Sequence, residues 1–193
     1  MRILAGLDTE TTGLEPGDHR LVEVYAGLYT FDGRRHVEFN QRIDPQRSIS
    51  IEAQRVHKIS ASDLVGKPTW DTVAPTLLKV LERAQGYVIH NAEFDLKFLR
   101  YEFNRVGLTM PERPVVDTMA DGIWATPDGK KPTLGELCLA CGVSYDAMAA
   151  HAADYDVERM MECFFKARSW TKSKNKYFRF ASNDPAEILA QAA

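Results

Sequence analysis

The chain has 193 residues, a net charge of −3, 45% hydrophobic and 26% charged residues, enough for one sizeable core and ordinary for a soluble globular fold. Near-neutral charge neither requires nor forbids a polyanionic partner, because local patches outweigh the sum. Three cysteines argue against a disulfide framework, no apolar run reaches membrane-spanning length, and MRILAGLDTE lacks the features of a secretory leader, so the expectation is a cytoplasmic protein without membrane contact.

Met1 to Leu7 is a continuous apolar run, too short for a helix, and reads as a buried strand. Strand side chains alternate faces, so Asp8 and Glu10 at its end point the same way. Two carboxylates so placed repel each other and lose solvation, a cost that a cation would offset. Hard oxygen donors at this spacing suit Mg²⁺ or Mn²⁺, but D-x-E alone is a weak motif and equally describes two solvated acids.

Pro16 and Gly17 mark a polar loop. Leu21 to Phe31 and His36 to Ile43 have strand composition and are joined at the Asp32-Gly33 turn, so three strands open the chain as an antiparallel meander. Ile49 to Ile59 predicts a short helix with Ser50 as cap, followed by a loop to Pro68. Thr69 caps a long helix that contains Pro75 and is stopped by Gly86. Tyr87 to Asn91 is a second apolar strand. A helix from Glu93 follows, with Phe94, Phe98, Tyr101 and Leu108 near one side and Gly107 at its end. Val115 to Met119 is a short buried strand, and Thr126 to Pro132 a loop. Leu134, Leu137, Cys138 and Cys141 fall at helical spacing, so this C-x-x-C reads as core packing rather than a zinc or redox site. A last helix covers about Ala153 to Ser169. Strands first, then strand–helix alternation, predict an α/β fold: one domain with a mixed sheet flanked by helices.

Two further polar clusters stand out. In HNAEFD, Asp95 lies in the first turn of a helix just after a strand, where α/β folds build sites and where an acid also suits the helix dipole. In HAADYDVERM, His151 precedes the last helix and Asp156 lies in its first turns, close enough for the two to meet; a polar helix entry with a surface histidine has the same pattern. The H-x₄-D spacing recurs at His90 and Asp95, so it is uninformative alone.

Taken together, LDTETTGL, HNAEFD and HAADYD occur in an informative order and separation. From Arg2 to about Arg168 the chain resembles the DEDDh branch of the DnaQ-like 3′→5′ exonucleases, which have an RNase H-like fold. Weaker likenesses lie around His57, at VVDT ending in Asp117, and at TLGELCLACGV. His151 points to the DEDDh branch, because the Y-x₃-D alternative is absent: Arg159 stands four residues after Tyr155. The resemblance implies a five-stranded mixed sheet with an exonuclease domain over residues 1–170. It assigns Asp8, Glu10, Asp95 and Asp156 to two Mg²⁺ ions, with Mn²⁺ able to substitute, and His151 to the general base, a role suited to imidazole near neutral pH. It assigns Thr11, Leu14, His57, Asn91 and Phe94 to the terminal nucleotide. The implied partner is nucleic acid with a free 3′ end, single-stranded DNA first, with a polymerase or a replication or repair protein as associate. The products would be nucleoside 5′-monophosphates. An RNA-trimming or oligoribonuclease-type enzyme and a non-catalytic nucleic-acid- or polymerase-binding module on the same fold are the alternatives. The wording T-E-T-T-G-L resembles the DNA-acting and RNase T-like members more than the oligoribonucleases, and the full set of five residues argues against the non-catalytic module.

The end of the chain, 171–193, reads as a separate tail. From Lys166 to Arg179 there are six basic residues and no acid, interleaved with Trp170, Tyr177 and Phe178. Such a stripe suits a phosphate backbone with aromatic stacking, and equally a solvated helix end. No clamp-binding motif is evident in it, which counts against a proofreading-subunit role.

Overall fold

Three strands joined by turns open the computed structural model, which describes residues 2–171. β1 (Ile3–Thr11), β2 (Leu21–Thr30) and β3 (Arg35–Arg42) form the antiparallel meander. β4 (Gly86–Ile89) and β5 (Val115–Asp117) add in parallel, giving one five-stranded mixed sheet of order β3-β2-β1-β4-β5. β1 therefore lies at the centre, between an antiparallel and a parallel neighbour. It runs past Leu7 to Thr11, so Asp8 and Glu10 sit inside a paired strand instead of beyond its end.

The helices follow their sequence signals with local corrections. α1 (Ile51–His57) is capped as expected: the Ser50 hydroxyl accepts from the Ala53 amide at 3.1 Å. α2 (Trp70–Leu81) contains Pro75 but ends before Gly86, which is the first residue of β4 and not the helix stop. Thr69 holds the N-cap position of that helix as expected, but its hydroxyl hydrogen-bonds the Asp71 carboxylate in place of a helix amide. α3 (Ala92–Arg105) buries Leu96, Phe98, Leu99 and Phe103 but leaves Tyr101 41% exposed, so the predicted stripe is rotated. The reason is Glu102, fully buried on that inner face and paired with Arg20 and Arg105; a buried charge interrupts the apolar pattern that periodicity reads. α4 (Leu134–Cys141) and α5 (Ala153–Thr171) complete the set. Short 3₁₀ turns at Ala61–Leu64 and Ile123–Ala125 occupy stretches without a predicted element.

Alternation along β1 sorts the core into two layers. Ile3, Ala5 and Leu7 face α2 and α3, while Leu4 faces the layer built from α4 and α5. Cys138, Cys141 and Cys163 are buried free thiols in the second layer, so the C-x-x-C packs as a small apolar pair. α5 meets the β1 backbone at Gly6, where the side chains of Val157 and Met161 leave no room for a Cβ. Among the described residues no helix is long and apolar enough to cross a membrane.

The tail expected from Thr171 lies outside the described residues, apart from the helical Thr171 itself. The preceding basic residues belong to the body. Lys166 donates to the Gly142 carbonyl at 2.9 Å, and the Arg168 guanidinium lies 5.0 Å from the Phe31 ring centre. Trp170 packs edge-on against Trp124 at 6.3 Å.

Candidate active site

The carboxyl ends of β1 and β4, which run parallel and side by side, open into a cleft of about 530 Å³. Asp8 and Glu10 enter it from β1, Asn91, Phe94 and Asp95 from the start of α3, and Asp156 from the first turns of α5. Exposed His151 stands at its rim, and Leu14, 71% exposed, lies at its mouth. Thus eight of the ten residues singled out above share one cavity.

Thr11 and His57 do not line it. Thr11 is buried and its hydroxyl donates to the Gly13 carbonyl at 2.6 Å. His57 is 5% exposed, and its Nδ1 accepts from the Ile59 amide at 3.0 Å. Its Nε2 must then carry the proton, which it donates to the Thr11 carbonyl at 3.1 Å. With both ring nitrogens engaged, His57 ties α1 to the end of β1 from behind the cleft. Burial pulls its pKa below the usual imidazole value, which keeps this tautomer neutral.

Each acid is held by its own local structure. Asp95, 3% exposed, accepts the Thr9 hydroxyl at 2.7 Å. Asn91 adopts φ +82°, a left-handed conformation that turns the chain sharply from β4 into α3. The Asp117 carboxylate holds that turn: it accepts from the amides of Asn91 (3.2 Å), Ala92 (2.9 Å), Met119 (2.9 Å) and Ala120 (3.0 Å). It thereby satisfies the amides of the α3 cap and of its first residue from the neighbouring strand. At the third site His151 has φ +65°, and its backbone amide donates to Asp156 Oδ2 at 3.1 Å. The link expected between His151 and Asp156 therefore exists, but through the backbone.

The electrostatics are those of an anionic cavity short of positive charge. Burial, then Asp95, Glu10 and Asp156, pushes Asp8 well above the usual carboxylate range. Burial and then Glu23 push Glu10 up to about 9. Burial raises Asp95 to about 7 against the opposing hydrogen bond from Thr9, and burial also raises Asp156. Among the described residues no three His, Cys, Asp or Glu side chains already stand at closed metal-ligand geometry. The donor set nevertheless fits a hard divalent cation. Asp156 Oδ1 is buried with no hydrogen-bond partner, and the converging carboxylates supply the oxygen ligands such an ion takes.

The sequence pattern of the RNase T exonuclease family matches residues 6–164. The chain belongs to that family. The DNA polymerase III epsilon subunit of Rickettsia conorii is 33% identical over 175 residues, 88% of this exonuclease and 75% of the relative. The Escherichia coli epsilon subunit is 31% identical over 169 residues, 82% and 68% of the two chains. Among solved structures, exonuclease X in complex with 5′-overhanging duplex DNA superposes with a TM-score of 0.66 at 23% identity, covering 92% of this exonuclease and 97% of that chain. E. coli exonuclease I in complex with a dT13 oligonucleotide gives 0.78 at 16% identity, over 92% and 43%. Both share the mixed sheet and flanking helices, and the likeness to the epsilon subunits places this 3′→5′ exonuclease in the DnaQ-like DEDDh group.

Three residues in and around this site escaped sequence reasoning: Thr9, Glu23 and Asp117 in its anchoring role. Thr9 alternates away from Asp8 and Glu10, yet meets Asp95 on the other face of the sheet end. The only signal for Glu23 was a lone acid in an otherwise apolar strand.

Proposed function

We propose that this exonuclease removes nucleotides from the 3′ end of single-stranded DNA in a reaction that needs divalent cations, Mg²⁺ in the first instance. The observation that carries the reading is the convergence of Asp8, Glu10, Asp95 and Asp156, from three distant segments, on one cleft with His151 at its rim. Their raised affinities for protons give a cavity that gains most by binding positive charge. Asp8, Glu10 and Asp156 would hold one ion, and Asp8 with Asp95 nearby a second. Bound there, the ions supply the charge that lets an anionic phosphodiester accept a nucleophile and that stabilises the leaving 3′ oxygen.

The chain's own residues do the rest. A ring nitrogen of His151 takes the proton from the attacking water, from an exposed position that can exchange it with solvent. Leu14 and Phe94 offer apolar faces to the terminal base and sugar, and Asn91 a hydrogen-bonding amide beside them. Thr11 and His57 act indirectly, by fixing the loop that carries Leu14. The DNA complexes of exonucleases I and X, and the polymerase III membership of the epsilon relatives, support DNA as substrate and a polymerase as partner.

The test is digestion of 3′- and 5′-labelled DNA and RNA oligomers with Mg²⁺ and with EDTA. The expected result is early release of the 3′ label as a mononucleotide, faster on DNA than on RNA, and no release in EDTA. Release of the 5′ label first, or undiminished digestion in EDTA, overturns the reading.

A further inference from the structure

Behind the cleft lies a charged row that the reaction as described does not use. Glu10 on β1 is the register partner of Glu23 on β2, and Glu23 is the register partner of Arg42 on β3. Register partners project from the same face, so the three side chains stand side by side, two acids and then a base. Asp8 and Glu10 share that face, the one covered by α5. Glu23 is 6% exposed, and its Oε1 accepts from Arg42 Nε at 3.1 Å. Arg42 is half-exposed and opens on a second cavity, of about 370 Å³, which reaches His151 on the outer side of the cleft. Lys67, His57 and Asp154 also line that cavity.

A buried carboxylate beside another carboxylate, in a site already short of positive charge, is costly without a reason. We infer that Glu23 is a fifth carboxylate of this site, a positioning residue that strengthens its hold on divalent cations, and that Arg42 sets how much of its charge is felt there. The inference rests on the metal reading above. Glu23 sits beyond Glu10 in the row, so it adds negative potential at the ion position and disfavours movement of the Glu10 carboxylate toward β2 by like-charge repulsion. Arg42 holds Glu23 by one guanidinium nitrogen on the far side and so attenuates the same potential.

The two residues then have opposite effects on metal affinity, although they are partners in one ion pair. That sign difference separates the inference from a structural role, since loss of either partner of a structural pair acts in one direction. The measurement is calorimetric titration of the full chain with Mn²⁺ at neutral pH, for wild type, Glu23→Gln, Arg42→Gln and Arg42→Lys. Glu23→Gln is expected to weaken Mn²⁺ binding on the order of tenfold, as loss of a group supporting a metal ligand does. Arg42→Gln is expected to tighten it several-fold, and Arg42→Lys, which keeps the charge, to leave it nearly unchanged. Melting curves with and without Mn²⁺ provide a second readout: Arg42→Gln should melt lower than wild type without metal and gain more from adding it. Shifts of the same sign in Glu23→Gln and Arg42→Gln, or no shift in either, overturn the inference while wild-type binding keeps the metal reading intact. Wild type that binds no Mn²⁺ overturns both. Unchanged Mn²⁺ affinity in Arg42→Gln, with weakened binding of a DNA oligomer instead, overturns it in favour of Arg42 as a phosphate contact.

Discussion

A Cβ added to Gly6 would stand 2.7 Å from Val157 Cγ1, so α5 rests directly on the backbone of the central strand. Asp156 is the residue before Val157, and Asp8 lies two positions beyond Gly6 on the same face. The contact therefore fixes how far the α5 carboxylate stands from the β1 carboxylates.

Gly6→Val should push α5 away from the sheet. Overpacking of this kind costs about 1–3 kcal/mol, readable by urea denaturation. Exonuclease activity should fall by more than stability does, because Asp156 and His151 move together. A fully active, equally stable variant would show that α5 is not seated by this contact.

Asp8→Asn should abolish nuclease activity in Mg²⁺ and yet raise the melting temperature of metal-free protein near pH 8. Burial and four neighbouring carboxylates make the charge on Asp8 unfavourable there, and the amide removes that charge while keeping the shape. Digestion of a labelled 3′ end at the wild-type rate would refute the metal assignment.

His151→Ala should slow turnover about 10²- to 10⁴-fold, the usual contribution of a positioned base, with little change in Mg²⁺ affinity. The backbone amide of residue 151 remains to hold Asp156. Loss of metal binding in calorimetry would mean that the imidazole is a ligand instead.

Metal-free protein should become less stable as pH rises from about 6 to about 9. Glu10 and Asp95 take up protons more readily folded than unfolded, their folded values being about 9 and about 7. The folded state therefore carries more protons in this window, and stability falls with increasing pH. Saturating Mg²⁺ should flatten the slope, since the ion replaces the protons. A flat metal-free profile between pH 6 and 9, followed by calorimetry, would contradict the raised values.

Asp117→Ala should cost about 2–4 kcal/mol, because two backbone amides at the left-handed turn into α3 and two just after residue 117 lose their acceptor. The loss should appear in urea denaturation, together with faster amide exchange at Asn91 and Ala92. A cost below about 1 kcal/mol would show that water replaces the carboxylate.

The element order and the meander were legible in the residues alone, and the acids that meet in the cleft were named by the resemblance of three motifs to the DEDDh exonucleases. Local rules account for their placement along the chain: alternation puts Asp8 and Glu10 on one face, and the order of strand and helix puts Asp95 and Asp156 in the first turns of α3 and α5. Local rules failed where a buried charge broke the apolar pattern, as at Glu102 in α3, and where a helix ended without a breaker, as at Leu81. They are silent on His57, which the resemblance puts beside the terminal nucleotide and whose two ring hydrogen bonds appear only in the fold. It takes the folded chain to bring Glu23 between Glu10 and Arg42, Thr9 against Asp95, and Asp117 to the start of α3. Each of these depends on strand register or on the seating of one layer against another, and nothing in the spacing of residues along a chain encodes which distant backbone or side chain will lie opposite.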